Sequence, residues 1–306
     1  MKDRIAKITF LLMALIVFSG WVNSPTALML GFGFTLFFNN PFKAYCHKAI
    51  HSFLKVSVVG LGFGMFLKET LETGKEGFIL TFLSITLTVG LGFLLTKALK
   101  LDTKLGHLIT SGTSVCGGSA IAAISPVINA KSKVISIALA VVFLLNSIAL
   151  FVFPAIGHYL HLTQHQFGLW CAVAIHDTSS VIGASIGYGD EALRTATTVK
   201  LSRMLWIVPL SILSMLVFKT KGEKVKMPYF ILLFIGAIIL NSYHLVPATA
   251  SLTIVSISKK LLILTLFLVG STLSIEDLRA TGTRPMVLAV LLWVFISVLS
   301  LLYILH

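Results

Sequence analysis

The sequence predicts an all-α polytopic membrane protein with about 9–11 transmembrane helices. Three observations carry that expectation. Of 306 residues, 57% are hydrophobic and 11% charged, against roughly 25% charged in a soluble domain, and mean hydropathy is +0.97. Apolar runs of about 20 residues, the length a helix needs to cross hydrocarbon, succeed one another along the chain. Two hydrophobic segments, 104–130 and 166–188, are interrupted by polar breaks rich in glycine and serine. No stretch is long and polar enough for a separate soluble domain, so 1–306 reads as one integral membrane domain.

The elements follow in order. Spans are expected near 5–22, 25–38, 49–67, 77–99, 133–158, 192–218, 228–243, 255–274 and 285–305, with the two broken segments in addition. The first run follows Lys2, Arg4 and Lys7, as a signal peptide would. No small-x-small cleavage site follows it, and a second apolar run begins at Pro25, so a retained helix is expected. Basic loops at 2–7, 43–48, 97–104, 131–133 and 219–226 alternate with neutral or acidic ones at 68–76, 158–166, 188–191 and 241–248. With the N-terminus in the cytoplasm, every basic loop falls inside if both broken segments are re-entrant hairpins. That gives nine full spans plus two hairpins. Full crossing helices with unwound centres are the alternative, and Lys131 and Lys133 decide between them. The formal charge of +13 is explained by these loops and implies no nucleic acid. Localisation is expected in the bacterial plasma (inner) membrane.

Internal repetition is expected too, as halves near 25–158 and 166–305. Gly62, Leu67, Glu69, Thr73 and Gly74 align with Gly270, Ile275, Asp277, Thr281 and Gly282, and 114–123 aligns with 174–183. The orientation above makes such repeats inverted, as many carriers have.

Lipid offers no hydrogen bonds, so irregular chain at membrane depth survives only where protein buries it or it lines a cavity. In the first break, Gly112, Gly117 and Gly118 permit unusual backbone conformations. The helix beginning at Ser119 then offers unpaired N–H groups and a positive dipole end. Ser114, Cys116, Gly117, Gly118 and Ser119 thus form a candidate anion cradle, weighed against close packing of small residues. No Gly-Lys-Ser/Thr follows, so this is not a phosphate-binding P-loop.

In the second break, His176 and Asp177 are ionisable groups at membrane depth and candidates for binding or coupling, with H+ or Na+ as the ion. Asp177 could equally cap the helix beginning at Thr178. Thr178, Ser179 and Ser180 would add donors. Lys200 and Arg203 lie three residues apart on one helical face and need a counter-charge, either Asp177 or an anionic substrate. Asn146 and Ser202 are candidate cavity-lining residues, and Asn146, polar inside a long apolar helix, could instead join helices.

Enzyme readings are dismissed. Gly187–Asp190 matches the GxGD string of intramembrane aspartyl proteases but lacks a suitable second aspartate, and a Cys116–His176 pair has no other support. No cofactor or metal site is expected. His158, His161 and His165 resemble a metal tract only loosely, and Cys46, Cys116 and Cys171 show no CxxC spacing. Partners are expected to be a small anionic substrate and membrane lipid, with a homodimer plausible.

Three motifs carry a family resemblance: Gly112-Thr113-Ser114-Val115-Cys116-Gly117-Gly118-Ser119-Ala120-Ile121-Ala122-Ala123, Ile175-His176-Asp177-Thr178 and Val199-Lys200-Leu201-Ser202-Arg203. In order and spacing, over residues 25–305, they resemble the bacterial YeiH-type membrane proteins, a family also named for sulfate export. The resemblance implies kinship with the cation:proton antiporter and anion transporter superfamily. Its members have inverted repeats, a scaffold part, and a mobile core with discontinuous helices around a midplane site. Ser202, usually Thr in that family, and Ser180, usually not Ser, depart mildly from its pattern. The expected function is secondary transport, in the exporting direction, of a small anion such as sulfate or an organic sulfonate or carboxylate. A cation/proton antiporter using Asp177 and a non-transporting receptor or scaffold are the alternatives.

Overall fold

The computed structural model describes residues 2–38, 40–219, 229–272 and 282–306. Among these the chain is all-α, with one short 3-10 turn at Gly62–Gly64. In chain order the α-helices are α1 (Lys2–Ser19), α2 (Ser24–Phe37), α3 (Lys43–Leu61), α4 (Leu67–Ala98), α5 (Thr103–Ser114), α6 (Gly118–Val127) and α7 (Ser132–Tyr159). They continue as α8 (Gln164–Ala174), α9 (Thr178–Tyr188), α10 (Asp190–Leu205), α11 (Ile207–Phe218), α12 (Phe230–Ser242), α13 (Ala248–Thr272) and α14 (Thr283–Leu305). Among the described residues, five stretches are long and apolar enough to cross a membrane: α4, α7, α10 with α11, α13 and α14. Four further expected spans, α1, α2, α3 and α12, are shorter, at 18, 14, 19 and 13 residues. Lys221, Lys224 and Lys226, and the repeat positions Ile275, Asp277 and Thr281, lie outside the described residues.

The helices fall into two compact units. One is built from α1, α2, α3, α12 and α13. There α13 packs on α2, α3 and α1, and α12 packs on α3. Its centre is aromatic: Phe10 meets Phe34, Phe42 and Phe267, with ring centroids 5.2–5.5 Å apart. Asn40 Nδ2 and Thr35 Oγ1 both donate to Ser271 O at 2.9 Å, giving the last turn of α13 partners for a terminal carbonyl.

The second unit contains most of α4, then α5 to α8, the start of α9, α10, α11 and α14. Its plan rests on two helical hairpins. Asp102 caps α5, accepting from Leu105 N at 2.9 Å. The helix stops at Ser114, and Gly117, at φ +61°, turns the chain into α6. At the other end Lys104 Nζ donates to Asn129 O at 2.9 Å. A straight helical segment would hold those residues about 38 Å apart, so α5–α6 turns back on itself: hairpin 1. In α8, Thr163 and Gln166 form a capping box. Ile175 is extended and ends that helix. Tyr188 at the end of α9 donates to Leu162 O at 2.8 Å and stacks on Phe167 at 3.8 Å, so α8–α9 is hairpin 2.

Between the hairpins runs α7, whose 28 residues span about 42 Å. The two hairpins therefore open at opposite ends of α7 and point toward each other. Both broken segments thus reverse as hairpins, the geometry that the re-entrant alternative requires. The next helix is interrupted at Trp206, between α10 and α11. Pro209 explains this, because it lacks an N–H and its ring crowds the carbonyl four residues back.

Candidate functional site

The hairpin tips meet. A Cβ placed on Gly117 would lie 3.3 Å from His176 C and 3.4 Å from Asp177 N. The middle of α7 supports both tips. Val142 and Phe143 lie within 3.3 Å of the Cβ positions of Gly117 and Gly118. Asn146 Oδ1 accepts from His176 N at 3.0 Å and Asp177 N at 3.2 Å. Asn146, expected to join helices or to face the cavity, thus holds the extended tip of hairpin 2 by two amides that no helix satisfies.

Each hairpin has an inbound helix ending at the tip with bare carbonyls and an outbound helix starting there with bare amides. The carbonyl ends meet two cations. Lys200 Nζ donates to Ile175 O at 2.7 Å, and to Ala172 O and Val115 O at 3.3 Å. Arg203 donates to Ser114 O at 2.5 Å, Val115 O at 3.5 Å and Ser84 Oγ on α4 at 2.9 Å. Both side chains have zero exposure. Their positive charge therefore sits against the negative dipole ends of α5 and α8.

The sequence reading asked for a carboxylate or an anion as counter-charge; among the described residues no ion pair joins Asp177 to either cation. Asp177 instead caps α9, where its Oδ2 accepts from Ser179 N at 3.0 Å, Ser180 N at 3.4 Å and the Ser179 hydroxyl. The amide end of α6 is different. Its N-cap residue is Gly117, which has no side chain to cap it; Gly118 is half-buried and Ser119 is exposed.

The other candidates divide. Cys116 is fully buried in tip 1, Ser114 Oγ bonds back to Ser111 O at 3.2 Å, and Thr178 Oγ1 lies 3.9 Å from Met204 Sδ. Ser202 turns back to Val199 O at 2.8 Å and does not join the tips. His176 is fully buried, and neither ring nitrogen has a hydrogen-bond partner; Asn146 Nδ2 also has none. The loop histidines do not cluster: His158 stacks on Tyr188, while His165 pairs with Glu76 at 2.8 Å. No group of residues able to hold a metal occurs among the described residues, and Cys46, Cys116 and Cys171 form no disulfide.

Sequence reasoning missed Ser84. Its signal was present in α4, where Gly77, Thr81, Ser84, Thr88, Gly92 and Thr96 recur every three or four residues and are all buried. Small and hydroxylic residues at that spacing mark a close-packed polar face within an otherwise apolar helix.

Fold and site define a polytopic α-helical membrane protein with two re-entrant hairpins meeting tip to tip around buried cations. The chain belongs to the family described as Conserved hypothetical protein 698, whose model matches residues 6–289. It is 53% identical to a UPF0324 membrane protein of Photobacterium profundum over 97% of this chain and 91% of that one. A UPF0324 membrane protein of Bacteroides thetaiotaomicron is 49% identical (94% and 87%), and one of Shewanella oneidensis 45% (98% and 95%). No solved structure matches the chain.

Proposed function

We propose that this protein is a secondary transporter of a small anion, with the substrate held where the hairpin tips meet. One observation carries the reading. Lys200 and Arg203 lie at the tips with no exposure, and the one carboxylate there, Asp177, caps α9. Two cationic side chains thus face one carboxylate at the tips, a balance that favours an anion there. The start of α6, with glycine at its N-cap, brings a helix N-terminus beside the exposed Ser119, an arrangement that favours an anion. Binding would use Gly118, Ser119 and the tip amides, with Lys200 and Arg203 supplying the field and His176 and Asp177 the coupling to H+ or Na+.

The resemblance to YeiH-type proteins supports sulfate or an organic sulfonate or carboxylate as substrate, export as direction, and inverted repeats in the superfamily's manner. Bacterial relatives support a bacterial plasma membrane, with the N-terminus cytoplasmic by loop charge. The protein is read as not an enzyme and needing no cofactor, and as a candidate homodimer.

The test is thermal unfolding of the purified protein with sulfate, a sulfonate or a carboxylate, at pH 5.5 and 7.5, with and without sodium. A ligand of the native state raises the midpoint with concentration. One anion class is expected to do so, with the response weakened in Ser119→Ala and Arg203→Lys. A response to sodium alone, abolished in Asp177→Asn, would replace this reading with a cation/proton antiporter.

A further inference from the structure

In the first unit, the turn between α1 and α2 lies at a depth that does not suit its chemistry. Helix α13 is long and apolar enough to cross a membrane, and Lys260 is its middle residue. Its 25 residues extend about 37 Å, so its middle lies about 15 Å from either edge of a hydrocarbon layer about 30 Å thick. Contacts with α13 place the turn at that level. Phe10 on α1 packs on Phe267, with ring centroids 5.2 Å apart. At the end of α1, a Cβ on Gly20 would lie 3.2 Å from Lys260 Cε. On α2, Gly31 meets Phe267 O so closely that a Cβ there would overlap it, and Thr35 Oγ1 donates to Ser271 O at 2.9 Å. The chain thus comes in beside Phe267, turns beside Lys260 and leaves beside Ser271, on the side where it entered. The 14 residues of α2 extend about 21 Å, too little to cross.

The turn itself is bare. Gly20, at φ +96°, Trp21 and Asn23 are exposed, Trp21 at 91%. Among the described residues no hydrogen bond reaches the amides of Trp21, Val22 or Asn23. The helix ends on either side are provided for. Asn23 Oδ1 caps α2, accepting from Thr26 N at 3.0 Å. Lys260 Nζ lies 3.8 Å from the Cβ position of Gly20, beside the carbonyl end of α1, where a cation is favoured. Neither contact serves the turn amides. Hydrocarbon offers them no partner, so non-helical backbone at this depth persists only where protein covers it or water reaches it. The exposed residues flanking the turn, Leu15, Phe18 and Met29, are apolar, which suits a protein neighbour and not a water-filled cavity. No described segment of the chain provides that cover.

We propose that the α1–α2 turn is the surface through which two copies of this chain associate in the membrane. A two-fold axis along the membrane normal sets a patch against its own copy at the same depth, so each polar turn meets another polar turn with no further matching. A different protein would need a polar surface of its own at that level. Trp21 is the anchor: its ring is large and rigid, and its indole N–H can donate across the contact. The apolar Leu15, Phe18 and Met29 surround it. The proposal rests on the chain spanning a membrane and stands whatever substrate is carried.

The test is cross-linking in membranes. Two differently tagged copies carrying Trp21→Cys are made together and treated with a short, membrane-permeant bismaleimide. The native cysteines are buried, and the unsubstituted chain gives the background. Leu94→Cys, at a residue 64% exposed on α4, reports chance collision. A product carrying both tags is expected at about tenfold the Leu94→Cys yield, because an interface holds the two thiols at high effective concentration. Equal yields, or a product joining one tagged chain to a different protein, would overturn the proposal. So would modification of Trp21→Cys by an impermeant maleimide in sealed vesicles, which would place the turn in water. A Trp21→Cys chain not recovered as monodisperse protein is replaced by Ser19→Cys, exposed at the end of α1 and read the same way. No substrate is added, so failure here leaves the anion reading untouched, and an absent anion response in thermal unfolding leaves the paired turns untouched.

Discussion

Arg203 has two tasks that separate by substitution. Its guanidinium satisfies Ser114 O, Val115 O and Ser84 Oγ, so Arg203→Ala leaves carbonyl acceptors of α5 unpaired inside the protein. Hydrogen bonds to a charged group contribute about 1.5–3 kcal/mol each, and Arg203→Ala is expected to lower stability by about that much or more. Arg203→Lys keeps the charge but loses the planar fork that reaches several acceptors at once. It is expected to recover about half the loss while still weakening the anion response. Thermal unfolding without ligand reads the first effect, and equal midpoints for wild type and Arg203→Ala would remove Arg203 from its capping role. At this scale the sequence was informative about which residues matter and silent about what they touch. Lys200, Arg203, His176, Asp177 and Asn146 stand out because ionisable and amide groups are rare in apolar runs. Their partners are mostly backbone carbonyls and amides, which every residue carries, so no residue type announces them.

Glycine shows a related limit at the scale of elements. Gly62 and Gly270 align as repeat partners in the sequence, and both turn out to be places where another backbone comes close. A Cβ on Gly62 would lie 2.9 Å from Phe234 O, and one on Gly270 would lie 2.2 Å from Leu28 O. Close crossings favour glycine whatever the ancestry of the segment, so the match alone does not establish a repeat. The α2–α13 crossing gives a controlled test on a single helix. A Cβ on Gly31 would lie 2.1 Å from Phe267 O, whereas Gly33 has nothing within 4 Å. Gly31→Ala is expected to separate the helices and abolish recovery of folded, monodisperse protein in detergent. Gly33→Ala is expected to be neutral or to stabilise by about 0.5–1 kcal/mol, because alanine loses less backbone entropy in a helix. Comparable yields for the two would mean that α2 and α13 do not approach this closely. The hairpins were the more legible elements, because a Gly-Ser break inside an apolar run has few stable uses. That each break is a reversal required a long-range contact, Lys104 with Asn129 or Tyr188 with Leu162.

Across the whole molecule, those contacts turn a choice that rested on two lysines into a labelling pattern. If α5–α6 were one crossing helix, Thr103 and Lys131 would sit on opposite membrane faces; as a hairpin they share one. His161 and Glu191 flank hairpin 2 and share the other, because α7, long enough to cross the hydrocarbon, separates the two pairs. All four are exposed, and the three native cysteines are buried, so single cysteines at these positions report with little background. In sealed vesicles, a membrane-impermeant maleimide is expected to reach Thr103→Cys and Lys131→Cys from one side, and His161→Cys and Glu191→Cys from the other. From the positive-inside bias, the first pair is expected to be the one reached from the cytoplasmic side. Labelling of Thr103→Cys and Lys131→Cys from opposite sides would restore a crossing helix with an unwound centre. In that case Lys131 and Lys133 would lie outside, and the charge pattern that orients the rest of the chain would have to be explained another way.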